Sequence, residues 1–246
     1  MKSQKKQRMG LVAAGALALG MCLAATSANA TTITASVGGV PSGADCYESF
    51  NSLATGGAGG ITTDCGITAS FSPQGGVVQG SVGGQYAAPV LSNGNGALFG
   101  DGDGADASHY LTAGGTSDSY AQLVLPASAR YLGLLWGSVD SYNTITFYLG
   151  DTLVDSFGGG AVSAVAGSGN CVNGNQSTVG TCYVNINLAT AFDRVVMTST
   201  QYAFEFDNVA FAANPLGVPE PGEIGLFLLG LGLVGSGYWF RKRRLA

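Results

Sequence analysis

Asn143-Thr144-Ile145-Thr146-Phe147-Tyr148-Leu149-Gly150-Asp151-Thr152-Leu153-Val154-Asp155-Ser156-Phe157 reads as two strands around a two-residue turn. Ile145, Phe147 and Leu149 share one face, and Thr144, Thr146 and Tyr148 the other, which is the alternation of a half-buried strand. Gly150-Asp151 supplies the turn and Thr152–Phe157 the return strand of a hairpin. Upstream, Tyr131–Val139 is almost continuously apolar, which predicts a central strand buried on both faces. Thr31–Val37 and Tyr120–Leu125 alternate as strands do, and Phe192–Ser199 with Ala203–Ala212 reads as a closing pair. Glycine clusters at 56–60, 75–84, 94–104 and 158–160 punctuate these segments. Each Gly costs a helix ~1 kcal/mol relative to Ala, so no helix is expected outside the chain ends. The pattern predicts an all-β, antiparallel sandwich of jelly-roll type over residues 31–217. Within it, 31–115 is glycine-richer and looser, and is expected to lay irregular loops over the sandwich instead of forming a second domain. No repeat of fixed period appears, which argues against a solenoid.

The charges of this 246-residue chain gather at its two ends. Of ten Lys and Arg, four lie in the first eight residues and four form the run Arg241-Lys242-Arg243-Arg244. Residues 31–218 keep only Arg130 and Arg194 against thirteen acids, a net of −11 where the whole chain carries −5. Such a segment repels phosphate backbones, which excludes nucleic acid as a partner. Residues 1–30 have the three parts of a secretory signal peptide: the basic MKSQKKQR, the apolar Leu11–Ala25, and Ala28-Asn29-Ala30 for cleavage. The alternative is an N-terminal membrane anchor, against which the short apolar stretch and the cleavage pattern both argue. Cys22 does not mark a lipoprotein, because Gly20-Met21 lacks the small residue expected just before a lipidated Cys.

The C-terminal segment 218–246 is the most specific part. Val218-Pro219-Glu220-Pro221 precedes the uncharged stretch Ile224–Phe240 and then the basic tail 241–246. Seventeen residues at helical rise reach ~25 Å, the short limit for one transmembrane helix across a ~30 Å hydrocarbon core. Tyr238 and Trp239 fit the interface, and Arg241, Lys242, Arg243 and Arg244 form a cytoplasmic stop, so the N-terminus lies outside. Gly230-Leu231-Gly232-Leu233-Val234-Gly235 matches a dinucleotide fingerprint only formally, having neither a downstream acid nor a βαβ setting. The tripartite tail resembles the PEP-CTERM sorting signal. That resemblance implies an exosortase as processing partner, a membrane-embedded transpeptidase-like enzyme of Gram-negative bacteria that cuts near the motif. Pro219, Glu220 and Pro221 would be substrate residues, held extended and short of backbone donors by the prolines. The Sec translocon and signal peptidase are the partners implied by residues 1–30. A second, weaker resemblance covers about 131–211. Trp136-Gly137-Ser138-Val139-Asp140-Ser141-Tyr142-Asn143 and Phe206-Asp207-Asn208 resemble strands of other exosortase-dependent surface proteins. It implies fold and location, and no activity.

Four cysteines remain beyond Cys22: Cys46, Cys65, Cys171 and Cys182. An even number in an exported chain points to two disulfides with three possible connectivities, and the spacing favours the local pairs Cys46–Cys65 and Cys171–Cys182. Zinc is the alternative, weakened by the lack of a CxxC pair and by the single His. Asp101-Gly102-Asp103-Gly104-Ala105-Asp106 is the candidate metal site: carboxylates of Asp101, Asp103 and Asp106 on a tight glycine wrap suit Ca²⁺. Its alternative is a solvated acidic turn. Asp207-Asn208 is a second calcium candidate, with pairing to Arg194 or loop capping as alternatives. Catalytic material is scarce. His109 is the only histidine and, with Ser108 and Asp106, sits in no nucleophile elbow. Glu48 and Glu205 are the only Glu residues of 31–217 available to a paired-carboxylate hydrolase. Trp136, although a sugar-stacking candidate, lies in the most apolar strand and is expected in the core. These readings converge on a non-enzymatic surface or extracellular-matrix protein with a structural or adhesive role beside exopolysaccharide. A calcium-assisted carbohydrate-binding module and a secreted hydrolase are the alternatives.

Overall fold

The computed structural model describes residues 31–116 and 118–217. The leader 1–30, the motif Pro219–Pro221, the span 224–240 and the stop Arg241–Arg244 lie outside the described residues. Among the described residues, no helix is long and apolar enough to cross a membrane.

Antiparallel strands make up the fold. Eight short ones come first: β1 (Thr32–Ser36), β2 (Cys46–Glu48), β3 (Gly60–Ile61), β4 (Thr68–Phe71), β5 (Gly76–Val78), β6 (Val90–Leu91), β7 (Gly104–Ala105) and β8 (Tyr110–Ala113). Five longer strands follow: β9 (Tyr120–Gly137), β10 (Asn143–Leu149), β11 (Thr152–Gly158), β12 (Cys182–Ser199) and β13 (Phe204–Ala212). One hydrogen-bonded network runs β11-β10-β12-β9-β13-β8-β5, with β1 beside β12, β2 beside β13, and β4 joining β3 to β9. β6 and β7 form a separate pair.

The expected hairpin is present: β10 and β11 pair antiparallel around Gly150-Asp151, with a register shift between Phe147 and Tyr148. Ile145 and Phe147 are buried, and Leu149, last on that face, is exposed. The stretch from Tyr131 to Gly137 is buried on both faces throughout, with β12 and β13 pairing along its two edges. Three expectations need correction. Tyr120–Leu125 and Tyr131–Val139 belong to one 18-residue strand, β9, which runs through Pro126. Proline is tolerated there because the β9–β12 ladder is interrupted between Val124↔Arg194 and Ala129↔Phe192, so no backbone N–H is needed. The segments ending β12 and forming β13 are not a closing pair, since β9 lies between them in the network. A helix, α1 (Gly159–Ala166), also follows β11 within the chain's interior. Gly159 serves close approach, since a Cβ there would overlap the Asp140 carbonyl. Val162 of α1 is fully buried, and tertiary packing outweighs the low propensity of the leading Gly-Gly.

The principal core draws Leu123, Phe147 and Val195 together with Leu134, Trp136, Val184, Phe204 and Phe206. Trp136 is fully buried and stacks on Phe204 with ring centroids 4.3 Å apart. Phe50, Leu53, Ile67 and Val77 join the same core, so the glycine-rich segment 31–115 is packed into the domain. Both disulfides have the expected local pairing, Cys46–Cys65 and Cys171–Cys182, with Cα separations of 5.8 and 5.5 Å.

Candidate functional site

The final strand, Phe204-Glu205-Phe206-Asp207-Asn208-Val209-Ala210-Phe211-Ala212, builds the site. Phe204 and Phe206 point into the principal core, which sends Glu205 and Asp207 to the opposite face. Asn208 then takes a left-handed conformation at φ 52°, and the pairing with β9 shifts between Asp207 and Ala210. This extra residue resets the alternation, so that Val209 and Phe211 return to the core. Asn suits the position because its short polar side chain tolerates the left-handed region.

Residues 87–108 cover that outer face. Leu91 packs on Leu135 and Tyr183, while Phe99 meets Tyr47 edge-on at 5.6 Å. The segment is closed on itself where Asp106 N–H donates to the Pro89 carbonyl, and it is tied down where Val90 N–H donates to Thr181 Oγ1. It brings Asp101 and Asp106 over Asp207 and Asn208. Asp106 is 3% exposed, and Asp207 and Asn208 are 0% exposed. Asp106 Oδ1 accepts the Ser108 N–H at 2.8 Å, but Asp106 Oδ2, both Asp207 carboxylate oxygens, Asp101 Oδ2 and Asn208 Oδ1 have no hydrogen-bond partner.

The electrostatics follow from this crowding. Burial pushes the Asp207 carboxyl well above the usual carboxylate range, and the charge and contact of Asp106 raise it further, as does the charge of Asp101. Burial also raises Asp101, with the Asp106 charge adding to it and the Asn208 side chain acting in the opposite direction. Asp103 departs from the expected ligand set: it is exposed, and its Oδ1 accepts the Gly94 N–H at 3.0 Å. The alternative partner for Asp207 is also engaged elsewhere. Arg194 lies over the Tyr148 ring at 4.1 Å and donates to the Gly150 carbonyl at 2.9 Å. Among the described residues, no three His, Cys, Asp or Glu side chains are grouped closely enough to hold a metal ion as they stand. The arrangement is a looser nest of three carboxylates and one amide.

The residues weighed for catalysis are dispersed. His109 Nδ1 is 2.9 Å from the Leu53 carbonyl, and Ser108 turns its hydroxyl to Asp106 instead of His109. Glu48 is fully buried, accepting the N–H groups of Phe50 at 2.9 Å and Cys65 at 3.1 Å. Glu205 accepts the Ala87 N–H at 2.9 Å and leaves Oε2 without a partner. Its carboxyl is pushed up to about 8 by burial, with a smaller rise from Asp140. Glu205 borders a cleft of about 340 Å³ shared with Ser81, Gln85, Tyr86, Gln176 and Tyr202. Nothing in the local sequence announces this cleft, because its walls come from segments far apart in the chain. No protein-family model, curated protein or solved structure matches the chain.

Proposed function

We propose that the protein is exported, processed by an exosortase and delivered to the cell surface or extracellular matrix, where its role is structural or adhesive. The observation that carries this reading is the pair of disulfides, Cys46–Cys65 and Cys171–Cys182, inside a β-rich domain. Such bonds persist in oxidising compartments outside the cytoplasm. They agree with the leader-like residues 1–30 and the tail resembling a PEP-CTERM signal. The fold is read as a jelly-roll-like sandwich, because β9 and β12 each divide between two groups of partners. The first half of β9 pairs with β4 and the end of β12, whereas its second half pairs with β13 and the start of β12. Side chains from both halves share one core, which suits two leaves packed face to face.

A second reading, carbohydrate binding, draws on the cleft beside Glu205. Tyr86 and Tyr202 offer aromatic faces there, and Gln85 and Gln176 offer amides for hydroxyl groups. Binding of the full-length protein to immobilised exopolysaccharide, weakened by Tyr202→Ala, would favour it over a purely structural role.

Processing is tested by mass spectrometry of the surface fraction from a host with an exosortase. The mature chain should lack 1–30 and everything from Ile224 onward. Replacing Pro219 and Pro221 with Ala should preserve membrane insertion and block cleavage, leaving a longer, membrane-retained form. An intact C-terminal peptide through Ala246 on surface-exposed protein would make the tail a permanent anchor and end the exosortase reading.

A further inference from the structure

The nest on β13 confines three carboxylates without a cation. Only two basic side chains occur in residues 31–217. Arg194 is held at Tyr148 and Gly150. Arg130 lies five residues along β9 from Leu135, the register partner of Asp207, or roughly 17 Å at strand rise. The unpartnered oxygens are therefore not answered by protein cations, and burying a carboxylate without compensation is strongly unfavourable.

We propose that Asp101, Asp106, Asp207 and Asn208 bind one Ca²⁺ ion that fastens residues 87–108 onto β13. All the donors are hard oxygens, and five of them lack a hydrogen-bond partner: Asp101 Oδ2, Asp106 Oδ2, Asp207 Oδ1 and Oδ2, and Asn208 Oδ1. Calcium accepts about six to eight oxygens in irregular geometry, with water or carbonyls completing the shell. Mg²⁺ demands stricter octahedral geometry and keeps its water, while Zn²⁺ favours His and Cys, which this nest does not supply. The site joins two parts of the chain about a hundred residues apart, and it does so at a bulge that fixes Asp207 and Asn208. The ion answers the mutual repulsion of the acids and makes closure of the outer segment dependent on the surrounding calcium concentration. This goes beyond the proposed function, and neither depends on the other.

The test uses the full-length protein, stripped with chelator and kept in detergent. Titration with CaCl₂ should give one site by calorimetry and raise the melting temperature, and EDTA should reverse the rise. Asp207→Asn should weaken binding more than about tenfold by reducing ligand charge. Asn208→Gly should also weaken it, while the left-handed backbone is preserved. Asp103→Asn should leave binding and melting unchanged, since Asp103 lies outside the nest. Tb³⁺ luminescence excited through the aromatic residues of the unaltered protein gives a readout that needs no variant. Ca²⁺ should displace Tb³⁺ and equimolar Mg²⁺ should not. Absence of calcium binding at millimolar concentration overturns the proposal, as does loss of binding in Asp103→Asn with retention in Asn208→Gly.

Discussion

Glu48 is fully buried and stands at the end of β2, two residues after Cys46. Its two carboxylate oxygens divide between the N–H of Phe50, where the chain turns at φ 57°, and the N–H of Cys65, across the disulfide loop. The side chain thus holds both sides of a loop that the Cys46–Cys65 bond closes covalently. Glu48→Ala should destabilise the domain by roughly 2–4 kcal/mol, since it removes two buried hydrogen bonds and leaves buried donors unmet. Urea denaturation checks this, and a change below 1 kcal/mol would show that water replaces the carboxylate without cost. Glu48→Gln should fall between the two, because one of its atoms becomes a donor facing a donor. The disulfide spacing was legible in the sequence, but the role of Glu48 was not. One of its two partners lies 17 residues away, and only the fold brings that N–H to it. For the same reason Asp101, Asp103 and Asp106 read alike in the sequence, although Asp106 is buried and Asp103 is exposed. Spacing along a loop does not say which carboxylate turns inward.

At the scale of elements, the segment from Trp136 to Asn143 works as a corner that locks two loops. Asp140 Oδ2 accepts the hydroxyls of Ser138 at 3.0 Å and Tyr142 at 2.9 Å, and its Oδ1 accepts the Gly174 N–H at 2.7 Å. Asn143 Nδ2 then donates to the Ala203 carbonyl at 3.1 Å, reaching the start of β13. The corner therefore ties the β9–β10 turn to the loop closed by Cys171 and Cys182. Asp140→Ala should lower stability by about 2–3 kcal/mol and speed amide exchange most in residues 172–180. Unchanged exchange in that loop would mean that the disulfide alone holds it. The β10–β11 hairpin was readable because alternation and a Gly-Asp turn are local signals. The unity of β9 was hidden by Pro126, whose exclusion from ladders is relieved by an interruption that the partner strand supplies. The neighbour of β13 was equally hidden, since alternation identifies a strand's faces and says nothing about which strand lies beside it.

Across the whole molecule, stability rests on pairings between distant segments, and the disulfides shorten the search for two of them. Cys46–Cys65 spans 19 residues and Cys171–Cys182 spans 11. On loop entropy each contributes about 3 kcal/mol by constraining the unfolded chain. The second bond should contribute more than that figure, because both Cys171 and Cys182 are fully buried and their loss also loosens the Gly174 contact to Asp140. Replacing Cys46 and Cys65 with Ala should therefore leave a folded domain with reduced stability. Replacing Cys171 and Cys182 should cost more, and replacing all four should remove about 6 kcal/mol or more. Domains of ordinary stability hold only about 5–15 kcal/mol in total, so the last variant should be largely unfolded at 37 °C unless calcium compensates. Urea titrations of the three variants, each with and without Ca²⁺, separate these contributions. If the four-Ala protein is as stable as the parent, the domain needs no oxidising compartment to fold, and the disulfides lose their value as a marker of export. If it unfolds and Ca²⁺ restores it, two independent fasteners, one covalent and one ionic, hold different loops of one cooperative domain against the sheet.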